Sequence, residues 1–286
     1  MSWIGGKKAL RDEILIRFPI GYTRYVEVFG GGGWVLFHKP PKNDFEVYND
    51  FNSTLTNLYR CVRDSPEELI AELEFTLNSR EDFKHIRNLM KTPTQIPDIK
   101  RAAYLYQIIR QSYASGMTSF GGQPRSMWSN FPLIRGACRR LQTVVVENKD
   151  FEQLIRHYDR PDTFFYCDPP YLTTENYYEN VDFTVDDHQR LADALYRSQG
   201  RYMVSYNDCP EIREMYTRPG IIIESTSRLN NIAQRFEGGK KYAELIIANY
   251  DTTERARDYL QLTLFDDPQN LLRLLSERTV LINGQI

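Results

Sequence analysis

At 286 residues, with 41% hydrophobic and 26% charged side chains, the chain can bury a substantial core and excludes a disordered or low-complexity polymer. A net charge of −2 excludes a uniformly basic coat, so any DNA-binding surface must be a local patch. No apolar run is long enough to span a membrane, and Met1-Ser2-Trp3 opens no signal segment, so a cytoplasmic protein is expected.

Apolar residues at helical spacing over 8–18, stopped by Pro19, predict a first helix. Residues 25–29 read as a strand running into Gly30-Gly31-Gly32-Gly33, after which 34–37 can open a helix. A second strand, 45–48, ends at Asn49-Asp50. Strand, glycine turn, helix, strand and acid open a doubly wound α/β sheet. From about 53 to 160 the pattern changes to helices (55–63, 66–77, 82–89, 100–111) between polar stretches, a mostly helical insertion. Within it, 112–130 is rich in Ser, Gly and Tyr and reads as a long functional loop or hairpin. The α/β pattern resumes with strands at 143–147, 163–167, 201–205, 221–224 and 243–248 and a helix at 186–197. Closely spaced strands near the end predict an antiparallel hairpin finish. The four cysteines and four histidines are scattered without ligand spacing, so free thiols and no metal site are expected.

A glycine turn between strand and helix lets a ligand approach the backbone. A dinucleotide fold would show Gly-x-Gly-x-x-Gly, but the sixth position is Val35 counted from Gly30 and Leu36 counted from Gly31. A nicotinamide enzyme is thereby disfavoured. Asp50, about 20 residues on at the end of the next strand, fits a ribose-hydroxyl acceptor, which keeps a nucleoside-bearing cofactor. A tight turn with a surface acid is the competing reading. Further on, Asp168-Pro169-Pro170-Tyr171 follows the strand 163–167. Proline fixes its own φ and restricts the residue before it, so the acid and the ring are held in set directions. A flat, amino-bearing ring would need such a site.

Phe29-Gly30-Gly31-Gly32-Gly33 (Phe-x-Gly-x-Gly), a variable region and then Asp168-Pro169-Pro170-Tyr171 resemble the Dam-type DNA adenine methyltransferases. Trp3-Ile4-Gly5-Gly6-Lys7 is similar to the family's Trp-x-Gly-Gly-Lys, and the resemblance runs from about residue 3 to 250. It implies a Rossmann-like S-adenosylmethionine-dependent catalytic domain over 1–52 and 143–250, a DNA target-recognition insertion over 53–142 and a tail over 251–286. It implies S-adenosylmethionine as cofactor, S-adenosylhomocysteine as product, and no metal, because sulfonium is already a good leaving group. Trp3, Lys7, Phe29, Gly31, Gly33 and Asp50 would hold the cofactor, with Lys7 at its carboxylate and Asp50 at the ribose; Asp168 would border it. Asp168 and the Pro169 carbonyl would accept from the adenine amino group, within the rigid Pro169-Pro170 segment, and Tyr171 would stack on the base. The amino nitrogen's lone pair is delocalised, so two acceptors favour a pyramidal nucleophile and the acid stabilises the developing positive charge. The base must first be flipped from double-stranded DNA, a cost of a few kcal/mol.

The insertion would read the target through Arg110, Ser112, Tyr113, Gln123 and Arg125, beside or within the loop 112–130. The best-known members carry Arg-Tyr-Asn and Phe-Asn-x-Pro-Phe-Gly here. This chain has Arg110-Gln111-Ser112-Tyr113 and Ser119-Phe120-Gly121-Gly122, so a GATC target does not carry over. Arg135, Arg139 and Arg140, with Lys240 and Lys241, form a candidate phosphate patch, solvated charge being the competing reading. Ser205-Tyr206-Asn207-Asp208 resembles the family's polar tip on the strand beyond the catalytic one, which would line the adenine pocket; a loop turn is the competing reading. In the tail, Gln261-Leu262-Thr263-Leu264-Phe265 resembles the peptide by which bacterial proteins dock on the sliding clamp; an apolar patch packed on the chain's own domain is the competing reading. The expected activity is transfer of methyl to the N6 of adenine by a nucleoid-associated enzyme. The alternatives are a cytosine amino-methyltransferase and a DNA-binding regulator with a retired pocket.

Overall fold

The parallel strands form where apolar residues fill both faces of the backbone. In the computed structural model, which describes residues 10–42, 44–113, 116–123, 125–172, 183–229 and 241–257 (side chains of 227–229 and 241–242 excepted), seven strands make one sheet. β1 (Arg24–Glu27), β2 (Phe45–Asn49), β3 (Val144–Glu147), β4 (Thr163–Cys167) and β5 (Arg201–Asn207) are parallel. β6 (Ile222–Leu229) and β7 (Lys241–Ala248) are an antiparallel pair, and β7 also pairs antiparallel with β5. The order is β3-β2-β1-β4-β5-β7-β6. The expected α/β class and the antiparallel finish are both present.

Successive side chains leave a strand on opposite faces, and the core divides accordingly. Tyr25, Tyr48, Phe164 and Tyr166 enter one hydrophobic cluster; Val26, Val28, Val47, Phe165 and Cys167 enter the other. The first side is covered by α1 (Arg11–Leu15), α2 (Ser53–Asp64), α3 (Pro66–Glu74), α5 (Asp98–Gln111) and α6 (Phe131–Leu141). The second is covered by α7 (Phe151–Tyr158), α8 (Val185–Arg197) and α9 (Pro210–Tyr216). Helix α4 (Arg80–Leu89) stands apart, its Phe83 and Ile86 packing on Ile108. Residues 53–142 run between β2 and β3, and most of their helices share the sheet's own hydrophobic cluster.

Three local expectations change. Residues 34–37 form turns rather than an opening helix; the Phe37 amide bonds to Gly33 O, but Pro40-Pro41 follows and ends the run after one turn. Helix α6 had no sequence expectation of its own; Pro132 sits in its first turn, where a missing N–H is harmless. Ser205, Tyr206 and Asn207 lie inside β5 and Asp208 pairs with Arg213 at 2.7 Å, so the segment closes a strand rather than forming a loop turn.

The arginines of α6 also read differently in the fold. Arg140 grips the buried Glu46 with two hydrogen bonds (2.6 and 2.8 Å), Lys39 reaches the same carboxylate at 2.9 Å, and Lys39 also pairs with Asp44. Arg135 pairs with Glu67, and Arg139 is exposed with no ion-pair partner among the described residues. Arg140 is therefore a core ion pair rather than a phosphate ligand. Arg140→Ala is expected to lose about 3 kcal/mol, the low end for a broken buried pair because Lys39 still faces Glu46. Calorimetry should show the melting temperature falling by several degrees, with the salt slope of DNA binding unchanged. A stable variant with a reduced slope would return Arg140 to the DNA surface.

Candidate active site

The strand order reverses between β1 and β4, which are hydrogen-bonded neighbours. In open α/β sheets a ligand crevice forms outside the carboxyl ends of the strands at such a switch point. The glycine turn follows β1 and Asp168-Pro169-Pro170-Tyr171 follows β4, so segments far apart in sequence flank one crevice.

The turn is clamped from β2. The Gly30 amide bonds to Asn49 O (2.7 Å), the Tyr48 hydroxyl donates to Gly31 O (2.8 Å), and the Gly31 amide donates to Asp50 Oδ2 (2.9 Å). Asp50 Oδ1 accepts from the Asn52 amide (2.8 Å), and Asn52 in turn caps α2. Burial pushes the Asp50 carboxyl up, opposed by these two backbone donors. Gly31 and Gly33 take positive φ, 48° and 64°. Gly30, a position that the Phe-x-Gly-x-Gly pattern leaves open, is tighter than Gly33. A Cβ on Gly30 would lie 2.2 Å from Cε2 of the buried Tyr48 ring. Phe29 is half-buried between the rings of Phe151 and Phe183 (centroids 5.8 and 5.6 Å).

Across the crevice, Asp168 is half-buried, Pro169 is buried and Pro170 is half-buried. Ser205 donates to Asp168 Oδ1 (3.2 Å). The Tyr171 hydroxyl donates to Oε2 of Glu244 (2.9 Å), a fully buried residue of β7 opposite Asn207. Sequence reasoning passed over Glu244 and Glu27. The available signal was an acid alone in an apolar strand, in Ala243-Glu244-Leu245 and in Val26-Glu27-Val28.

Glu27 is 2% exposed and accepts from the Tyr25 hydroxyl (2.7 Å). Burial pushes its carboxyl from 4.5 up to about 8, against the donors Tyr25 and Leu36 N–H, while Asp168 and Glu46 add to the rise. The folded state thus holds this proton more tightly than the unfolded chain. The associated stability is full below the ordinary carboxylate range and is lost as pH rises through about 8. Glu27→Gln cannot ionise, so its unfolding free energy relative to wild type should improve from pH 5 up to about 8 and level off above it. Denaturant titrations across that range check this; a constant difference would mean that Glu27 does not titrate there.

Among the described residues of 112–130, the backbone is tied down at several points. Ser112 and Phe120 form a β-bridge, the Gly121 amide bonds to Gln111 O, and Asn78 holds the Arg125 backbone by reciprocal bonds of 3.1 Å. Tyr113 and Gln123 are exposed, and Arg110 and Arg125 are half-buried. Ser112 is buried and its hydroxyl donates to Ile109 O, so it faces the core rather than a ligand. Lys241 belongs to β7, where its backbone alone is described; Trp3, Lys7, Lys240 and the segment 261–265 lie outside the described residues.

A glycine cradle on one strand end and an acid with a flat ring on the next, in a Rossmann-like sheet, define a methyltransferase fold. The sequence profile of the D12 class N6 adenine-specific DNA methyltransferases matches residues 3–230, and the chain belongs to that family. It is 28% identical over 273 residues to the Type II methyltransferase M1.LlaDCHI of Lactococcus lactis subsp. cremoris, covering 87% of this chain and 94% of that one. It is 30% identical over 233 residues to the retron Ec67 DNA adenine methylase of Escherichia coli (76% and 79% covered). It is 24% identical over 271 residues to a DNA adenine methylase of Serratia marcescens (86% and 96%). Membership makes the chain an adenine-specific DNA methyltransferase and implies S-adenosylmethionine as methyl donor and DNA as substrate. Among the described residues, no helix is long and apolar enough to cross a membrane.

Proposed function

We propose that S-adenosylmethionine lies in the crevice between the β1 glycine turn and the β4 acid loop, and that a flipped adenine enters beside Asp168. The reading rests on one observation: both loops leave the sheet at the β1/β4 switch point. The cradle suits the cofactor because Gly30 has no space for a side chain and Gly31 and Gly33 take positive φ. Phe29, Gly31 and Gly33 shape the pocket, Asp50 presents its carboxylate at the end of β2 for the ribose, and Trp3 and Lys7 complete the holding set. When bound, the cofactor supplies an electrophilic methyl on sulfonium and is released as S-adenosylhomocysteine; the proposed scheme uses no metal.

The protein's part is acceptor geometry. Asp168 and the Pro169 carbonyl accept hydrogen bonds from the two amino hydrogens, which turns the nitrogen lone pair away from the ring; one of those protons leaves to solvent once the methyl is on nitrogen. The Asp168 charge stabilises the positive charge that grows on that nitrogen. Tyr171, tied to Glu244, offers its ring to the base, and stacking returns about 1–3 kcal/mol toward flipping. Arg110, Tyr113, Gln123 and Arg125 read the target, and Lys240 and Lys241 meet phosphate. The motif Gln261-Phe265 docks on a sliding clamp; a pulldown with purified clamp tests this, and no binding at micromolar concentration would end the idea.

Incubation with labelled S-adenosylmethionine and mixed-sequence duplex DNA, followed by mapping of the modified base, tests the reading. Label on adenine N6 within one short sequence is expected. Label on cytosine, or DNA binding without transfer, would favour the two alternatives in turn.

A further inference from the structure

Asp168 does not orient itself. The last torsion of an aspartate is broad, so its oxygens point where partners hold them. Ser205 supplies such a partner from the neighbouring strand. Cys167 of β4 pairs with Val204 of β5, which sets Ser205 level with Asp168. Its hydroxyl donates to Asp168 Oδ1 (3.2 Å) and lies 3.2 Å from the Tyr166 hydroxyl. A hydroxyl has one proton. With that proton directed to the carboxylate, Tyr166 must donate to Ser205. The chain therefore runs one way, Tyr166 Oη to Ser205 Oγ to Asp168 Oδ1. Ser205 is 0% and Tyr166 1% exposed, so water does not compete for either hydroxyl.

We propose that Ser205, backed by Tyr166, is the positioning residue that fixes the Asp168 carboxylate toward the substrate amine. This rests on the reading of Asp168 as the acceptor of that amine. Ser205 touches no reacting atom; it acts by holding lone-pair direction, where small misplacements lower rates steeply. Ser205→Ala keeps the strand and removes the donor.

The test is single-turnover methyl transfer on duplex DNA, run beside S-adenosylmethionine affinity, base flipping read by 2-aminopurine fluorescence, and melting temperature. Ser205→Ala should slow single turnover by about 10-fold, the loss expected for one hydrogen bond to a charged group, with cofactor affinity, flipping and melting temperature unchanged. Ser205→Thr, which keeps the hydroxyl on a strand-compatible side chain, should recover most of that rate. Tyr166→Phe should slow transfer by a smaller factor, about 3-fold. Asp168→Ala is run in parallel. If it is inactive while Ser205→Ala and Tyr166→Phe both transfer at the wild-type rate, Ser205 has no positioning role. If Asp168→Ala itself transfers at the wild-type rate, the reading of Asp168 fails and this inference falls with it. A Ser205→Ala loss matched by equal losses in cofactor affinity and melting temperature, without recovery in Ser205→Thr, would mean a packing role instead.

Discussion

Gly30→Ala is expected to lose S-adenosylmethionine affinity by about 10- to 100-fold, because an added methyl must strain the turn by roughly 1–3 kcal/mol. The reason is local and steric. The new Cβ would fall 2.2 Å from one carbon and 2.5 Å from another of the Tyr48 ring. That ring cannot swing aside: it is fully buried, packs on Tyr59 at 4.6 Å between centroids, and donates its hydroxyl to Gly31 O. Strain at Gly30 therefore passes to the Gly31 carbonyl and amide, and through the amide to Asp50. Calorimetric titration of the cofactor measures the effect. An affinity within twofold of wild type would show that the cradle is not where the cofactor lies.

Asp168→Ala is expected to slow methyl transfer by at least about 10³-fold and Asp168→Asn by about 10²-fold, with cofactor affinity nearly unchanged. Alanine removes both the acceptor and the charge. Asparagine keeps one acceptor oxygen, but it carries no charge to stabilise the nitrogen as methyl arrives. Single-turnover rates compare the two variants independently of product release. Wild-type transfer by Asp168→Ala would remove this residue from the chemistry.

Much of the architecture was legible in the sequence because its signals are local. The strands of the parallel sheet are runs such as Thr163-Phe164-Phe165-Tyr166-Cys167, buried on both faces, and Asp168-Pro169-Pro170-Tyr171 announces itself within four residues. What escaped depends on partners distant in the chain. Glu244 reaches Tyr171 across 73 positions and Ser205 reaches Asp168 across 37. Arg140 looked like a free cation until Glu46, 94 positions away, came to face it. Gly30 occupies an open position of its motif, and its strictness comes from Tyr48 on the neighbouring strand. Helix α6 was obscured because Pro132 and Gly136 weaken its local pattern, although Phe131, Ile134 and Leu141 bury one face.

The most direct measurement is nucleoside mass spectrometry of duplex DNA after incubation with methyl-deuterated S-adenosylmethionine, comparing wild type with Asp168→Ala at equal cofactor occupancy. Heavy methyl is expected on adenine N6 alone with wild type, and none above background with the variant. Heavy methyl on cytosine, or equal labelling of adenine by both proteins, would contradict this.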